Sequence, residues 1–232
     1  MKTLELPLVA IKKEAGDAKT FKFGLNEEFS FKPGQYINMT LDLAGDPRGN
    51  TRSFSIASSP TEKGFILITT RISASPFKQK FDSLPIGARV KIRGPMGNFI
   101  LDEGRNAVLL SGGIGITPLR DMIKYATDRK LEVKIVLLYS SRTPEGIIFK
   151  DDLEQMKKLN PSLEIINTIS DHAPGWKGRR GRIDANLVKE VMPESPVFYI
   201  CGPPAMVEAM EGILKEMDID EGSIKTEEFV GY

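Results

Sequence analysis

Hydrophobic and polar residues alternate in short runs over the first hundred positions, the period-2 pattern of β-strands with one buried face. The runs predict six strands, over residues 4–11, 18–23, 35–41, 52–57, 64–70 and 89–93. Glycine and proline clusters such as Lys32-Pro33-Gly34 separate them, as turns between strands do. One helix is predicted over 75–84, because Phe77, Phe81 and Leu84 would share a face. Many short strands with this punctuation indicate an antiparallel β-barrel.

A different rhythm begins near residue 107, where unbroken apolar runs alternate with stretches of helical periodicity. Strands are predicted over 107–110, 133–139, 163–169, 197–201 and 223–229, and helices over 117–129, 149–159, 185–191 and 204–217. This alternation indicates a parallel sheet covered by helices on both faces. We therefore predict two domains, a barrel over residues 1–102 and an α/β domain over residues 103–232.

The composition restricts the possible chemistry more than it restricts the possible folds. The 232 residues carry a net charge of +1 and no long basic tract, so we expect neither nucleic acid nor a membrane as partner. A single cysteine excludes an intrachain disulfide, a four-thiolate iron–sulfur cluster and a CxxC zinc site, and with one histidine we expect no metal. Redox chemistry would need an organic cofactor. The absence of a signal-like or membrane-spanning stretch predicts a cytoplasmic protein.

The segment 111–118, Ser-Gly-Gly-Ile-Gly-Ile-Thr-Pro, lies between a predicted buried strand and a predicted helix. Such a turn brings backbone N–H groups and the positive end of a helix dipole close to a phosphate, which selects Gly113 and Gly115 as binding positions. Thr117 suits the N-cap of this helix and Pro118 its first position. Cys201-Gly202-Pro203 follows another strand end. Because ligands of parallel sheets bind at the carboxyl ends of strands, both segments should line one crevice.

Arg52-Ser53-Phe54-Ser55 adds a third motif, on a predicted barrel strand. Together with the two segments above and the order barrel-then-α/β, it resembles the ferredoxin–NADP reductase superfamily over essentially the whole chain. The family pattern is Arg-x-Tyr-Ser or Arg-x-Tyr-Thr. There the guanidinium meets a flavin phosphate, the aromatic ring covers the isoalloxazine and the hydroxyl reaches the flavin N5. Phe54 departs from the pattern because it has no hydroxyl. The alternative is a barrel strand with an exposed arginine and a core phenylalanine.

The resemblance implies FAD as cofactor, with FMN less favoured, and NADPH or NADH as co-substrate. On the flavin side it implies contacts from Thr69, Arg71 and Ser75, the last as the cap of the barrel helix, where a pyrophosphate would lie.

For the hydride-transfer contact, the resemblance implies the set Ser55, Thr117, Cys201, Glu228 and Tyr232. Cys201 is placed beside the nicotinamide, with Gly202 and Pro203 following it. Glu228 is chosen over its neighbour at the flavin edge, and Tyr232 would lie over the flavin ring. Two alternatives stay open. Cys201 could be a small hydrophobe that ends a buried strand, and the tail could be frayed.

Nucleotide preference depends on residues 140–143, Ser-Ser-Arg-Thr, which follow a predicted strand. Arg142 suits a 2′-phosphate, and no acidic residue at 139–143 is available for a free 2′-hydroxyl, so NADPH is favoured while NADH stays open. Arg179, Arg180 and Arg182 would supply a second cation if their loop folds back. The alternative is a solvated loop.

These observations predict a flavoprotein oxidoreductase that transfers hydride between NAD(P)H and FAD and passes electrons onward. The acceptor could be a ferredoxin or flavodoxin, an oxygenase component, or a small molecule such as free flavin or a ferric chelate. Two alternatives remain. One is a flavin- or nucleotide-binding subunit of a larger complex without turnover. The other is an NAD(P)-dependent dehydrogenase, which leaves the barrel and residues 52–55 unexplained.

Overall fold

The first half of the computed structural model is a curled antiparallel sheet; the structure describes residues 1–43 and 45–229. Its elements are β1 (Lys2–Lys13), β2 (Ala18–Gly24), β3 (Tyr36–Thr40), β4 (Thr51–Ser55), β5 (Phe65–Arg71), α1 (Pro76–Asp82) and β6 (Arg89–Met96). The strand order is β4-β3-β6-β1-β2-β5. No pairing joins the edge strands β4 and β5 in the described residues, so the predicted barrel is a half-barrel.

The core of this half is formed by the side chains that alternate to the inner face of each strand. Along β6 the odd positions Arg89, Lys91 and Arg93 are exposed, while Val90 and Ile92 face inward. Helix α1 lies across the core and buries Phe77 and Phe81 completely. The ring of Phe81 stacks on Phe21 at 4.1 Å between centroids. Ser75 caps α1 as predicted, accepting a hydrogen bond from Lys78 N, and Pro76 is its first residue.

The second half is a six-stranded parallel sheet in the order β10-β9-β8-β7-β11-β12. Its strands are β7 (Ala107–Gly112), β8 (Ile135–Ser141), β9 (Leu163–Ile169), β10 (Arg179–Arg180), β11 (Val197–Gly202) and β12 (Ile224–Glu228). Its helices are α2 (Ile116–Arg129), α3 (Lys150–Leu159), α4 (Ala185–Val191) and α5 (Pro204–Glu216). Leu109 packs in the cluster with α2 and α3, whereas its neighbours Val108 and Leu110 pack in the cluster with α4 and α5. Helices therefore cover both faces, as predicted.

The predicted N-cap role of Thr117 is wrong. A 3-10 turn over Gly113–Gly115 runs directly into α2, which begins at Ile116 with Gly115 as its cap and no side-chain bond. The Thr117 hydroxyl instead donates backward to the carbonyl of Ile114 at 3.1 Å. Strand β10 was not predicted, because two residues are too few to show a periodic pattern of hydrophobic positions. None of the helices in the described ranges has the length and apolarity to cross a bilayer.

Candidate active site between the two sheets

The glycine turn after β7 packs directly on the end of β11. A Cβ placed on Gly115 would lie 2.1 Å from the carbonyl oxygen of Cys201, so only glycine allows this approach. Gly113 has φ +54°, a conformation that side-chain-bearing residues rarely adopt, and its Cβ direction is open except for Arg71. The structure thus brings together the two segments that the sequence placed at the carboxyl edge of the sheet.

Arg71 reaches this turn from the antiparallel half. Its guanidinium would lie 3.7 Å from a Cβ on Gly113, and it is ion-paired with Asp17 on its own side. A cation therefore faces the glycine turn across the crevice. Thr69, two residues earlier on β5, instead turns its buried hydroxyl to Thr20, with 2.7 Å between the two oxygens.

Ser55 and Glu227 meet across the crevice. The hydroxyl of Ser55, the last residue of β4, donates to Glu227 Oε2 at 3.4 Å. Burial raises the pKa of Glu227 to about 7, against the opposing effect of the Ser55 hydrogen bond. Cys201 lies opposite Glu227 in the β11–β12 register, and burial followed by the Glu227 charge raises the pKa of its thiol. These three side chains form the centre of the crevice.

The glutamate at the centre is therefore Glu227 and not Glu228. Successive residues of a strand point to opposite faces, and Glu228 is exposed on the other side of β12. Thr117 is buried one helical turn before Arg120, beneath the glycine turn. Tyr232 lies outside the described residues.

Arg52 is held by the loop that precedes it. Its Nη1 donates to the carbonyls of Arg48, Gly49 and Thr51 at 2.8–3.0 Å, and its Nη2 donates to Asp46 Oδ1 at 2.7 Å. The second oxygen of Asp46 accepts from the backbone N–H of Phe77 in the first turn of α1, at 3.1 Å. The hydrogen bond from Arg48 N contributes most to lowering the pKa of Asp46, burial opposes it, and Arg52 and Phe77 lower it further.

Phe54 packs into the core of the half-barrel. Its ring centroid lies 6.0 Å from that of Phe77 and 5.5 Å from that of Phe81, as the core alternative for this motif implies. Lys78 Nζ lies over the same ring, 4.7 Å from its centroid, and donates to the hydroxyl of Thr70. Burial, then the charges of Arg52 and Arg48, lowers the pKa of Lys78 to about 8. Ser53, on the opposite face of β4, is exposed and donates to Asn38 Oδ1.

At the far end of the parallel sheet, Arg142 is exposed directly after β8. Its carbonyl accepts from Asp171 N at 3.0 Å, which puts an acidic residue beside it that the sequence window 139–143 did not contain. Arg179 pairs with Glu190, and Arg180 donates to carbonyls of its own loop. The third loop arginine, Arg182, lies near the carboxyl end of β9. It directly follows Gly181, whose N–H donates to the carbonyl of Ile169, the last residue of β9.

Comparison with known proteins assigns both halves. The oxidoreductase FAD-binding domain family matches residues 5–100, and the oxidoreductase NAD-binding domain family matches residues 109–212. The chain belongs to the ferredoxin–NADP reductase superfamily. We therefore call the antiparallel half the FAD-binding domain and the parallel half the NAD-binding domain, while the boundary at residue 102 stays a prediction.

Among its superfamily relatives is the glycine betaine monooxygenase reductase subunit of Pseudomonas aeruginosa, 31% identical over 95% of this chain and 63% of that protein. Ferredoxin–NADP reductase B of Sorangium cellulosum is 29% identical over 90% of each chain. The crystal structure of the Amycolatopsis cytochrome P450 reductase superposes with TM-score 0.85 and 26% identity, over 98% of this chain and 70% of that one. The chain thus spans less than two thirds of the first of these relatives.

The superfamily's flavin can be tested against the side chains present. Arg48, Arg52 and Lys78 concentrate positive charge around one end of β4, with Asp46 bonded to Arg52 among them. A donor set of this sign fits the phosphate of a flavin nucleotide. The sequence motif identified Arg52, whereas Lys78 was missed because its role depends on the packing of α1 over β4. No group of three or more His, Cys, Asp or Glu within residues 1–43 and 45–229 is placed to hold a metal ion.

Proposed function

We propose that this protein is a flavin-dependent reductase that takes hydride from NADPH or NADH onto FAD and passes the electrons to a separate acceptor. The observation that carries the proposal is the hydrogen bond from Ser55 of the FAD-binding domain to Glu227 of the NAD-binding domain, which lies opposite Cys201 in the sheet. A crevice lined from both domains holds two flat rings against each other, and such alignment is the main source of catalysis in hydride transfer.

Bound flavin supplies the hydride-accepting and electron-releasing chemistry. Around it, the Ser55 hydroxyl is the proposed hydrogen-bond partner of the flavin N5 edge. Glu227, with a pKa of about 7, holds or releases a proton next to that hydroxyl near neutral pH. The raised thiol pKa of Cys201 keeps it protonated, so its role is that of a small buried side chain that leaves room for the nicotinamide.

Anion binding is divided between the domains. For the flavin phosphates we propose Arg52 together with Lys78, which belongs to the first turn of α1 that Ser75 caps. For the nicotinamide-nucleotide pyrophosphate we propose the backbone of Gly113 and Gly115, with Arg71 facing them. Phe54 as the ring beneath the isoalloxazine, Thr69 through its backbone, and the terminal Tyr232 stay predictions from the family pattern, with FMN the alternative to FAD.

For the nucleotide we propose NADPH, with Arg142 as the partner of the 2′-phosphate and Arg182 as the second cation. The neighbouring Asp171 supports NADH, because a carboxylate suits a free 2′-hydroxyl. The preference is therefore measured with both nucleotides.

The acceptor is proposed to be another redox protein, of the ferredoxin, flavodoxin or oxygenase-component kind, with a small-molecule acceptor as the alternative. Its relatives include a monooxygenase reductase subunit and a ferredoxin–NADP reductase. The 232 residues hold one cysteine, which is too few for a four-thiolate cluster, so an iron–sulfur acceptor would lie outside these residues. We further propose that the protein works in the cytoplasm.

The test is an anaerobic titration of the flavin-loaded protein, followed by its visible absorbance. Loss of the flavin band on addition of NADPH or NADH supports the proposal and gives the preference directly. A protein that binds flavin but is bleached by neither nucleotide would support the non-turnover binding subunit instead. A protein that takes up neither FAD nor FMN on reconstitution would overturn the reductase proposal.

A further inference from the structure

We infer that Arg120 positions the two domains for hydride transfer, an inference that rests on the proposed function. This residue lies on α2, and its side chain is only 4% exposed. Nη1 donates to the carbonyl of Ala57 at 3.1 Å and to Glu62 Oε2, and Nη2 donates to Glu62 Oε1 at 3.2 Å. Nε donates to Asp152 Oδ2 of α3 at 2.6 Å. One guanidinium therefore bridges the loop after β4, in the FAD-binding domain, to two helices of the NAD-binding domain.

Each end of the bridge lies close in sequence to a residue of the proposed active site. Ala57 is two residues beyond Ser55, which contacts Glu227. Arg120 is three residues beyond Thr117, which is close to one turn of the same helix and follows the glycine turn. A shift of the loop relative to α2 would move Ser55 relative to Gly115 and Cys201. A misplacement of about 1 Å can lower the rate of a well-aligned reaction about 100-fold.

The charge of Arg120 is fixed in this position. Burial alone would lower its pKa, but hydrogen bonds and charges from Glu62 and Asp152 outweigh burial and raise it, so the guanidinium stays protonated. Glu62 is fixed in turn, because its Oε2 accepts from Ser59 N at 2.7 Å. A lysine would keep the charge but cannot donate in parallel to both carboxylate oxygens of Glu62 and to a carbonyl.

The domains also have contacts that do not involve Arg120, one of them from the Thr61 hydroxyl of the same loop to Asp128 Oδ2 of α2 at 2.5 Å. Asp121 Oδ2 accepts from the backbone N–H of Gly34 at 2.7 Å, and Gly34 is packed so closely that a Cβ would lie 2.0 Å from the carbonyl oxygen of Phe99. This contact lies at the turn before β3, whose first residue Tyr36 pairs with Ser55 in the β3–β4 register. Loss of the Arg120 bridge is therefore expected to change the placement of the loop after β4 while the domains stay associated.

Glu62 and Asp152 provide a matched pair of variants. Both are carboxylate partners of Arg120, but Glu62 belongs to the FAD-binding domain and Asp152 to the NAD-binding domain. Glu62→Gln weakens the bridge between domains, whereas Asp152→Asn weakens only the contact between α2 and α3. Arg129→Lys, an exposed position at the end of α2, controls for the change of arginine to lysine in Arg120→Lys.

The experiment measures single-turnover flavin reduction in the flavin-loaded protein, together with flavin affinity and the long-wavelength absorbance that arises when nicotinamide stacks on flavin. We expect Arg120→Lys and Glu62→Gln to reduce flavin about 10- to 100-fold more slowly, with a weaker stacking band and a flavin Kd within about twofold of wild type. We expect Asp152→Asn and Arg129→Lys to match wild type. Equal rates for Glu62→Gln and Asp152→Asn would overturn the inference, as would a loss of rate fully explained by lost flavin.

Failure of the proposed function is distinguishable, because wild-type flavin would then not be reduced by either nucleotide. In that case, or where Arg120→Lys does not fold, hydrogen exchange of residues 57–62 in Glu62→Gln and Asp152→Asn tests the bridge itself. Faster exchange in Glu62→Gln alone supports it. Equal exchange in the two variants overturns it.

Discussion

The anion-binding groups that we propose for the two domains differ in kind. The NAD-binding domain offers backbone, a turn of glycines whose shape is set by close contact with Cys201. The FAD-binding domain offers side chains, with Arg52 and Lys78 held by the 46–51 loop and by α1. A backbone site depends on space, so a single methyl group can destroy it. A side-chain site depends on charge balance, so substitutions there raise or lower affinity by degrees.

The largest effect is expected from a methyl group at the backbone site. Gly115 has φ −60°, which alanine adopts without strain, so Gly115→Ala tests space alone. The added Cβ would lie only 2.1 Å from the carbonyl oxygen of Cys201, so that the carbonyl would have to move. We expect flavin reduction by nicotinamide nucleotide to fall at least about 100-fold, with flavin binding retained, in stopped-flow and fluorescence measurements.

The control for that variant is Gly212→Ala on α5. A Cβ there meets nothing within 4 Å, so the rate is expected to be unchanged and stability to rise by about 0.5–1 kcal/mol. A Gly115→Ala protein that reduces flavin at the wild-type rate would show that the turn does not need this close contact.

The next effect concerns Glu227, whose pKa of about 7 is raised from 4.5. Because the folded state holds its proton more tightly, its stabilising contribution is present below about pH 4.5 and is lost as pH rises through about 7. We expect an inflection near pH 7 in the flavin-reduction rate that disappears in Glu227→Gln, with a change of about tenfold in rate. The denaturation midpoint of wild type should also fall relative to that of Glu227→Gln as pH rises from 4.5 to about 7.

Glu228→Gln is the matched control, since Glu228 is the next residue of the same strand but is exposed. Its pH profile should follow wild type. If Glu228→Gln removed the inflection and Glu227→Gln kept it, Glu228 would be the glutamate that titrates beside the flavin, as the family pattern predicts.

Side-chain sites should respond in both directions. Lys78→Met removes a partly buried cation and is expected to weaken flavin binding about tenfold, since hydrogen bonds to charged groups contribute about 1.5–3 kcal/mol. Asp46→Asn removes the carboxylate bonded to Arg52 and Phe77 N, and is expected to strengthen flavin binding about threefold, because an anion that competes for both donors is neutralised. Flavin dissociation constants by fluorescence measure both.

Lys80→Met, at an exposed position on the same helix, is the control for Lys78→Met. If all three variants moved affinity in the same direction, flavin binding would depend on the stability of the loop and α1 and not on charge balance.

The backbone parts of this molecule were also the parts that sequence could predict. Periodicity located the strands and helices because burial of one face imposes it, and the glycines marked the turn. The sequence does not show which side chains of β12 face inward, since residues 224–228 form an edge strand without a clear apolar alternation. The prediction of Glu228 rather than Glu227 was wrong about the face for this reason. The roles of Arg120 and Asp121 could not be predicted, because their partners in the other domain depend on how the two domains pack.

The smallest effect is expected at the nucleotide end, where both cations are exposed and solvent screens them. Arg142→Ala should raise the KM for NADPH about fivefold to tenfold and leave that for NADH within about twofold, because only NADPH carries the 2′-phosphate that a guanidinium pairs with. Arg182→Ala, beyond the end of β10 and two strands away, should have a smaller effect in the same direction. Equal changes for the two nucleotides would mean that Arg142 does not distinguish them. The neighbouring Asp171 would then become the specificity residue to substitute, since its N–H bonds to the Arg142 carbonyl and its carboxylate suits a ribose hydroxyl.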